Sequence, residues 1–385
     1  MKIICSGNMP FAREAFSTIG ETVVVPDRLI CAGAVRDADV LAIRSTVKAN
    51  EDLLDGSRVK FVGTATIGFD HIDTGYLAAR GIQWCTAPGC NANSVSEYIV
   101  SALLCLARRY DFRLARRTIG IIGVGHVGGL VAAKARALGM QVLLNDPPRE
   151  RAEGNSVEQF TPLDKLLKKA DVVSLHVPLT HDGVDSTFQM ANRKFFRSVK
   201  KGALFINCAR GPVAEMDVLL DAIDESVVAH AVIDTWDPEP AYPQELLERV
   251  DLATPHIAGH SFEGKVMGTL MVYREVCRFL GVAPVWTPDS LMPAPVVPRI
   301  VADQSASQCD EELLWNIVSQ VYNIEQDDGR LRALNSADPA KRAEHFEQLR
   351  RNYPVRREFR YTRVSLKNAG TSLATTVSGL GFKTG

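Results

Sequence analysis

Residues 118–146, TIGIIGVGHVGGLVAAKARALGMQVLLND, constrain this chain more than any other stretch. A short apolar run, Thr118–Ile122, leads into Gly123-Val-Gly125-His-Val-Gly128. Apolar residues at Val127, Leu130, Val131 and Leu138 then keep helical spacing, and Gly139 closes the helix. A second apolar run, 142–144, ends near Asp146. Strand, glycine turn, helix, strand and acid, in that order, make a dinucleotide-binding βαβ unit. Gly123 permits the tight turn, Gly125 lets the backbone approach a pyrophosphate, and Gly128 lets the helix lie close on the strand. The helix N-terminus, with free N–H groups and the positive end of its dipole, receives the phosphates. Asp146 stands where a carboxylate accepts hydrogen bonds from the adenosine ribose and repels a 2′-phosphate, so NAD is the expected cofactor. Arg149 and Arg151 leave NADP open.

At 385 residues the chain has room for two or three domains. A formal net charge of −1 gives no reason to expect nucleic acid or an anionic membrane as partner. No apolar run approaches the roughly 20 residues of a membrane helix. The opening MKIICSGNMPF reads as a first strand rather than a signal peptide, which implies a cytoplasmic protein. Cysteines 5, 31, 85, 90, 105, 208, 277 and 309 are scattered without a CxxC pair. Reduced thiols are expected, and no metal site.

Up to about residue 92, strand-like segments at 2–5, 40–43 and 61–63 alternate with helical ones. The loops after the last two carry Arg44, Ser45 and Lys48, and Thr66. Hydroxyls, glycine N–H groups and two cations there suit a carboxylate and a phosphate. Residues 93–110 read as a long apolar helix capped by Asn93 or Ser94, a hinge into the nucleotide domain. Thr161-Pro162 looks like a helix start. Strands at 172–176, 203–207, 228–233 and 252–254 then alternate with helices, the pattern of a parallel sheet covered on both faces. A helix at 262–280 returns the chain toward its first domain, and the proline-rich 282–298 is a linker. Helices near 310–321 and 340–350, and a strand at 359–366, make a C-terminal α+β piece. Residues 370–385, rich in Ser, Thr and Gly, are expected to be partly disordered.

Ligands of open α/β sheets bind beyond the carboxyl ends of the strands. Arg210 follows the strand ending at Asn207, Asp234 and Glu239 follow the one ending at Ile233, and His256 follows the one near Thr254. This set suits hydride transfer at a secondary alcohol. Oxidising a 2-hydroxy acid needs a base for the hydroxyl proton while C2 gives hydride to NAD. Histidine holds either proton state near neutrality. A carboxylate, here Glu239, fixes its tautomer and favours the imidazolium. An arginine fork, here Arg210, binds the substrate carboxylate and polarises the developing carbonyl. Asp234 falls near the carboxamide end of the nicotinamide.

From Val62 to about Lys265 the chain resembles the D-isomer-specific 2-hydroxy-acid dehydrogenases, through GTATIGFDHID, NANSVSEY, GIIGVGHVGG, HVPLT, INCARG, DTWDPEP and TPHIAG. Further motifs, IRSTVKAN, PHIAGHSFEGK and VYNIEQDDGRLR, are similar to those of a member with a dimerisation domain at its C-terminus. The resemblance implies two Rossmann-like doubly wound parallel-sheet domains joined by hinge helices, plus a C-terminal α+β dimerisation domain. The implied boundaries are 1–92 plus 257–284 for substrate, 93–256 for NAD and 285–385 for a homodimer contact. Arg210, Glu239 and His256 are then catalytic, with His256 the proton donor in the reductive direction. The cofactor set comprises Gly123, Gly125, His126, Val127, Gly128, Asp146, Val177, Cys208, Ala209, Asp234 and Gly259. A small phosphorylated 2-hydroxy acid meets Ser45, Thr66, Arg44, Lys48 and His260. Two positions depart from the family pattern: Val177 stands where a threonine often contacts NAD, and His260 where a tyrosine meets substrate. Alternative functions are a 3-phosphoglycerate-type member of the family and a non-catalytic NAD(H)-sensing protein.

Overall fold

The computed structural model describes residues 1–154 and 159–385. Two compact units form, Met1–Ala92 with Ser261–Ala294, and Asn93–His260 with Pro295–Gly385.

In the first unit, β1 (Lys2–Ser6), β2 (Glu21–Val25), β3 (Val40–Ile43), β4 (Phe61–Thr64) and β5 (Gln83–Cys85) pair in parallel in the order β2-β1-β3-β4-β5. Period-two alternation sends neighbouring side chains to opposite faces. Ile3, Cys5, Val40 and Ala42 meet Phe16 and helix Phe262–Leu280 through Val272, Tyr273 and Val276. Ile4, Leu41, Ile43 and Val62 meet Val35, Leu53, Leu54 and Leu77 on the other face. Apolar side chains on both faces explain why these strands read as continuous apolar runs. The sequence does not mark the edge strands β2 and β5, which are only partly buried.

The second unit holds β6 (Thr118–Ile122), β7 (Gln141–Asn145), β8 (Val172–Leu175), β9 (Ala203–Asn207), β10 (Val228–Ile233) and β11 (Leu252–Ala253). All pair in parallel, in the order β11-β10-β9-β8-β6-β7. The chain therefore reverses direction across the sheet between β6 and β8, the switch point where such folds open a crevice. Helix Ala92–Arg109 covers one face with Tyr98, Leu103 and Leu106. The expected caps are instead inside that helix, which begins at Ala92. At the expected Thr161-Pro162 start, Pro162 is itself the cap residue and helix Leu163–Lys169 follows.

The C-terminal residues share this core rather than standing apart from it. Strands β12 (Arg299–Asp303), β13 (Arg363–Lys367) and β14 (Lys383–Thr384) form a small parallel sheet in chain order. Leu313, Ile317, Val318, Phe359 and Val364 join the cluster around Tyr98 and Ile119. Residues 370–385, expected to be partly disordered, form helix Thr371–Gly379 and β14. Leu373, Val377, Leu380 and Phe382 are buried there, so a few apolar residues outweigh the polar composition. The strand expected at 359–366 begins only at Arg363, after a 3₁₀ turn over Phe359–Tyr361. The finer three-domain division stays a proposal beside this observed division into two.

A polar network is sealed inside this joint core. Glu97, fully buried on helix Ala92–Arg109, accepts hydrogen bonds from Asn93 Nδ2 at 2.9 Å and Phe359 N at 3.0 Å. Glu358 accepts from the same Asn93 amide at 2.8 Å and from Ser94 Oγ at 3.2 Å. Arg356 donates to Ser94 O at 2.6 Å and Ala258 O at 3.1 Å, with its guanidinium 3.7 Å from the centre of the Tyr322 ring. Burial, then the nearby Glu358 carboxylate, push Glu97 up to about 8, against the pull of Lys134, Arg356 and the Phe359 N–H. The folded chain therefore keeps this proton through a range in which an unfolded chain has released it. Stability should fall as pH rises from the ordinary carboxylate range toward 8. Glu97→Gln should flatten that decline by about 2–4 °C in Tm, the shift that about 1 kcal/mol brings to a domain of this size. Melting curves of both proteins across this range check it; equally steep declines would contradict the assignment.

Candidate active site

Every candidate group of the second unit lies just past the carboxyl end of a strand. The turn after β6 carries Gly123 at φ 87°, a conformation that side chains resist. A Cβ there would lie 2.7 Å from the His176 backbone, and one on Gly128 would lie 2.0 Å from Gly123 O. Only glycine lets this turn and the helix His126–Ala137 pack so closely. Gly125, the cap residue of that helix, faces open space and offers no side-chain cap. Its first-turn N–H groups at His126, Val127 and Gly128 have no intrahelical acceptors, as at any helix start. An open glycine before uncapped N–H groups is what a pyrophosphate requires, so these residues fit a dinucleotide.

At the end of β7, Asp146 Oδ2 accepts from Val124 N at 2.8 Å, and Oδ1 caps helix Pro147–Glu153 through Arg149 N at 3.1 Å. The acid is thus locked to the glycine turn. Arg149 binds Glu153 through two nitrogens, at 2.9 and 2.7 Å, and also reaches Val124 O. Arg151 pairs with Asp185. Both arginines that left NADP open are therefore tied to carboxylates. Val177 follows β8, beside Gly123. Its neighbour His176 is held neutral by burial, which lowers it to about 3, and its Nε2 lies 2.9 Å from Ser174 Oγ.

The β9 end presents Cys208, Ala209 and Arg210. Buried Asn207 shapes that turn, accepting from Ala209 N at 3.1 Å and donating to Arg210 O at 3.1 Å. Arg210 itself donates to Ala209 O at 2.8 Å. Burial and then Asp234 push the Cys208 thiol well up, so it keeps its proton.

Past β10 and β11, Glu239 Oε1 lies 2.7 Å from His256 Nδ1. The side chains are 23% and 30% exposed, so the pair is both held and reachable. Burial raises Glu239, but His256, then Arg350 and Arg210, outweigh it and hold the carboxylate below its ordinary value. His256 has φ 54°, and its N–H donates to Asp234 O at 2.8 Å. Asp234, 1% exposed, receives Thr254 Oγ1 at 2.6 Å and Ile257 N at 2.7 Å on Oδ1, and Ala258 N at 3.0 Å on Oδ2. Its carboxylate therefore builds the turn that offers His256. Burial still raises it on balance, against His256 and these hydrogen bonds. The sequence offered one signal for Asn207, Thr254 and Asp234 as turn builders, a polar residue directly ending an apolar strand. Gly259 and His260 continue this turn, with His260 N donating to Ile257 O at 2.8 Å and its ring edge-on to Tyr353 at 5.6 Å.

The remaining substrate candidates belong to the first unit, at the ends of the adjacent strands β3 and β4. Arg44, Ser45 and Lys48 share one loop, with Ser45 and Lys48 exposed. Thr66 Oγ1 lies 2.7 Å from Thr64 Oγ1 and donates to Gly68 O at 2.8 Å. One cation there had not been singled out: Lys265, lowered to about 8 by burial and by the Arg44 charge.

The lock on Asp146 yields a test. Asp146→Ala should reduce the preference for NAD over NADP by about tenfold, the equivalent of about 1.4 kcal/mol. Initial rates with both cofactors check it; a wild-type protein that already favours NADP would contradict the role of Asp146.

Residues 106–258 match the model of the D-isomer specific 2-hydroxyacid dehydrogenase NAD binding domain, and residues 291–381 match a domain of unknown function. Erythronate-4-phosphate dehydrogenase of Enterobacter sp. (strain 638) is 43% identical over 382 residues, 99% of this chain and 98% of that protein. The Escherichia coli O157:H7 protein of the same name is 42% identical over the same shares. Among solved structures, D-lactate dehydrogenase of Aquifex aeolicus complexed with NAD and lactic acid superposes with TM-score 0.59 at 27% identity, covering 72% of this chain and 95% of its own. NAD-bound 3-phosphoglycerate dehydrogenase of Entamoeba histolytica shares the fold, with TM-score 0.63 at 24% identity and coverage of 73% and 95%. With relatives this similar along nearly its whole length, the chain belongs to the D-isomer-specific 2-hydroxyacid dehydrogenase family.

Proposed function

We propose that this NAD-dependent dehydrogenase oxidises 4-phospho-D-erythronate to (R)-3-hydroxy-2-oxo-4-phosphooxybutanoate, a step of pyridoxal 5′-phosphate (vitamin B6) biosynthesis. The substrate follows from the name shared by relatives that match 99% of the chain. The acid–base assignment is carried by one observation, the 2.7 Å contact between Glu239 Oε1 and His256 Nδ1 at adjoining strand ends.

A carboxylate on Nδ1 keeps the proton on that nitrogen and leaves the Nε2 lone pair for the substrate. His256 Nε2 takes the C2 hydroxyl proton as the C2–H bond breaks and the carbonyl forms. Bound NAD supplies the acceptor for the hydride. Glu239 then faces an imidazolium, whose charge it stabilises. Arg210 grips the substrate carboxylate and draws charge from the forming carbonyl. Ser45, Thr66, Arg44, Lys48 and His260 serve the rest of the substrate, with the cations suited to its phosphate. The protein acts in the cytoplasm as a homodimer, through its C-terminal segment; among the described residues no helix is long and apolar enough to cross a membrane.

NADH formation with 4-phospho-D-erythronate, beside 3-phosphoglycerate and unphosphorylated D-erythronate, tests the substrate. The first should be clearly preferred, and turnover of another hydroxy acid alone would discard the pathway while leaving the dehydrogenase. His256→Asn should lower turnover by about 10²–10⁴-fold, the size of a general acid–base contribution, while NADH binding survives. Undiminished turnover would remove His256 from the chemistry. Sedimentation of the full chain should give a dimer; a monomer at assay concentrations would refute that part.

A further inference from the structure

The helix Pro339–Arg351 lies far along the chain from the strand ends, yet one of its faces is directed at the loop bearing Glu239. Arg342, Phe346 and Arg350 are spaced four apart and so share that face. Arg342 Nε donates to Tyr242 O at 3.0 Å. Phe346, fully buried, packs on the Tyr242 ring at 6.1 Å, and Tyr242 packs on Trp236 at 5.5 Å. Trp236 Nε1 in turn donates to Thr254 O at 2.9 Å, two residues before His256. The first two positions of the face thus clamp both loops that carry the acid–base pair. The third is Arg350, whose guanidinium lies 3.9 Å from Glu239 Oε1 and 3.7 Å from Glu347 Oε1. Its Nε is buried and makes no hydrogen bond among the described residues. A buried donor left unmatched is costly unless a nearby charge gains from it.

We propose that Arg350 is a positioning residue for the acid–base pair, a cation delivered by the C-terminal segment that holds the Glu239 carboxylate directed at His256 Nδ1 and shares its negative charge. This inference rests on the assignment of His256 and Glu239 made above. The charges facing the pair come from several elements: Arg210 past β9, Asp234 past β10, and Arg350 on this helix, itself shared with Glu347. Arg350 stands ahead of Arg210 among the charges that favour the Glu239 carboxylate. The same positive charge opposes protonation of His256. Its removal should therefore make the imidazolium easier to form. Oxidation needs neutral His256, so the acid limb of the rate profile should move to higher pH.

The test uses the full-length chain with Arg350→Gln and Arg350→Lys. NMR titration of the histidine rings, with the His256 signal assigned through its loss in His256→Asn, should show the His256 midpoint rising by about 0.5–1 pH unit in Arg350→Gln. The acid limb of kcat should rise with it, and Arg350→Lys should restore both toward wild type. An Arg350→Gln protein that binds NADH but shows the wild-type midpoint and limb overturns the proposal. So does a rise in KM for the hydroxy acid with midpoint and limb unchanged, which would make Arg350 a substrate contact. Should Arg350→Gln fail to fold, Arg350→Lys alone decides, since a displaced midpoint despite the retained charge contradicts the charge effect. Full turnover in His256→Asn would instead bring down the acid–base assignment, a failure separable from that of Arg350.

Discussion

Parallel pairing on both sides of β6 is the constraint on which the second unit depends. A parallel sheet needs a crossover after each strand, so all six strands end on one edge and all their following loops leave from it. Residues far apart in the chain, from Gly123 to His256, are therefore delivered to a common edge before any specific contact forms. The change of direction between β6 and β8 then opens the crevice at the glycine turn, where Gly123 and Gly128 permit an approach that any Cβ would block.

Within that frame, carboxyl groups do most of the fine placement. Asp146 ties the glycine turn to the end of β7, and Asp234 folds the backbone around His256. Burial works against the Asp234 charge, and the structure answers with two backbone N–H donors and the Thr254 hydroxyl aimed at its oxygens. Glu97, like Asp234, is nevertheless raised on balance. With Glu358 close by, it retains its proton to about 8. It does so where helix Ala92–Arg109 meets the C-terminal segment, so one protonation state is part of how the two pack.

Much of this was legible in the sequence because it is local. The fingerprint from β6 to Asp146 lies within one βαβ unit, and its glycines, helix and acid are read from spacing alone. Strand ends carrying Arg210, Glu239 and His256 were likewise visible, since buried parallel strands are apolar runs with sharp limits. Less was legible where burial was partial or contacts distant. The edge strands β2 and β5 lack a long apolar run, and residues 370–385 owe their order to four apolar side chains that meet the rest of the core. Asp234 was singled out for the cofactor, while its hydrogen bonds to Ile257 and Ala258 can be seen only once β10 and β11 lie side by side.

By itself, then, the sequence determined the alternation of buried strands and helices, the dinucleotide turn and the kinds of ionisable groups at the strand ends. These follow from periodicity and from backbone preferences that act over a few residues. Tertiary structure alone decided that Glu239 meets His256 at 2.7 Å, and that Arg350, more than a hundred positions from Glu239, reaches the same carboxylate. It also decided that the C-terminal segment shares a core with the nucleotide unit. Pairings of this kind depend on how whole elements pack, and sequence spacing carries no record of the distance between them.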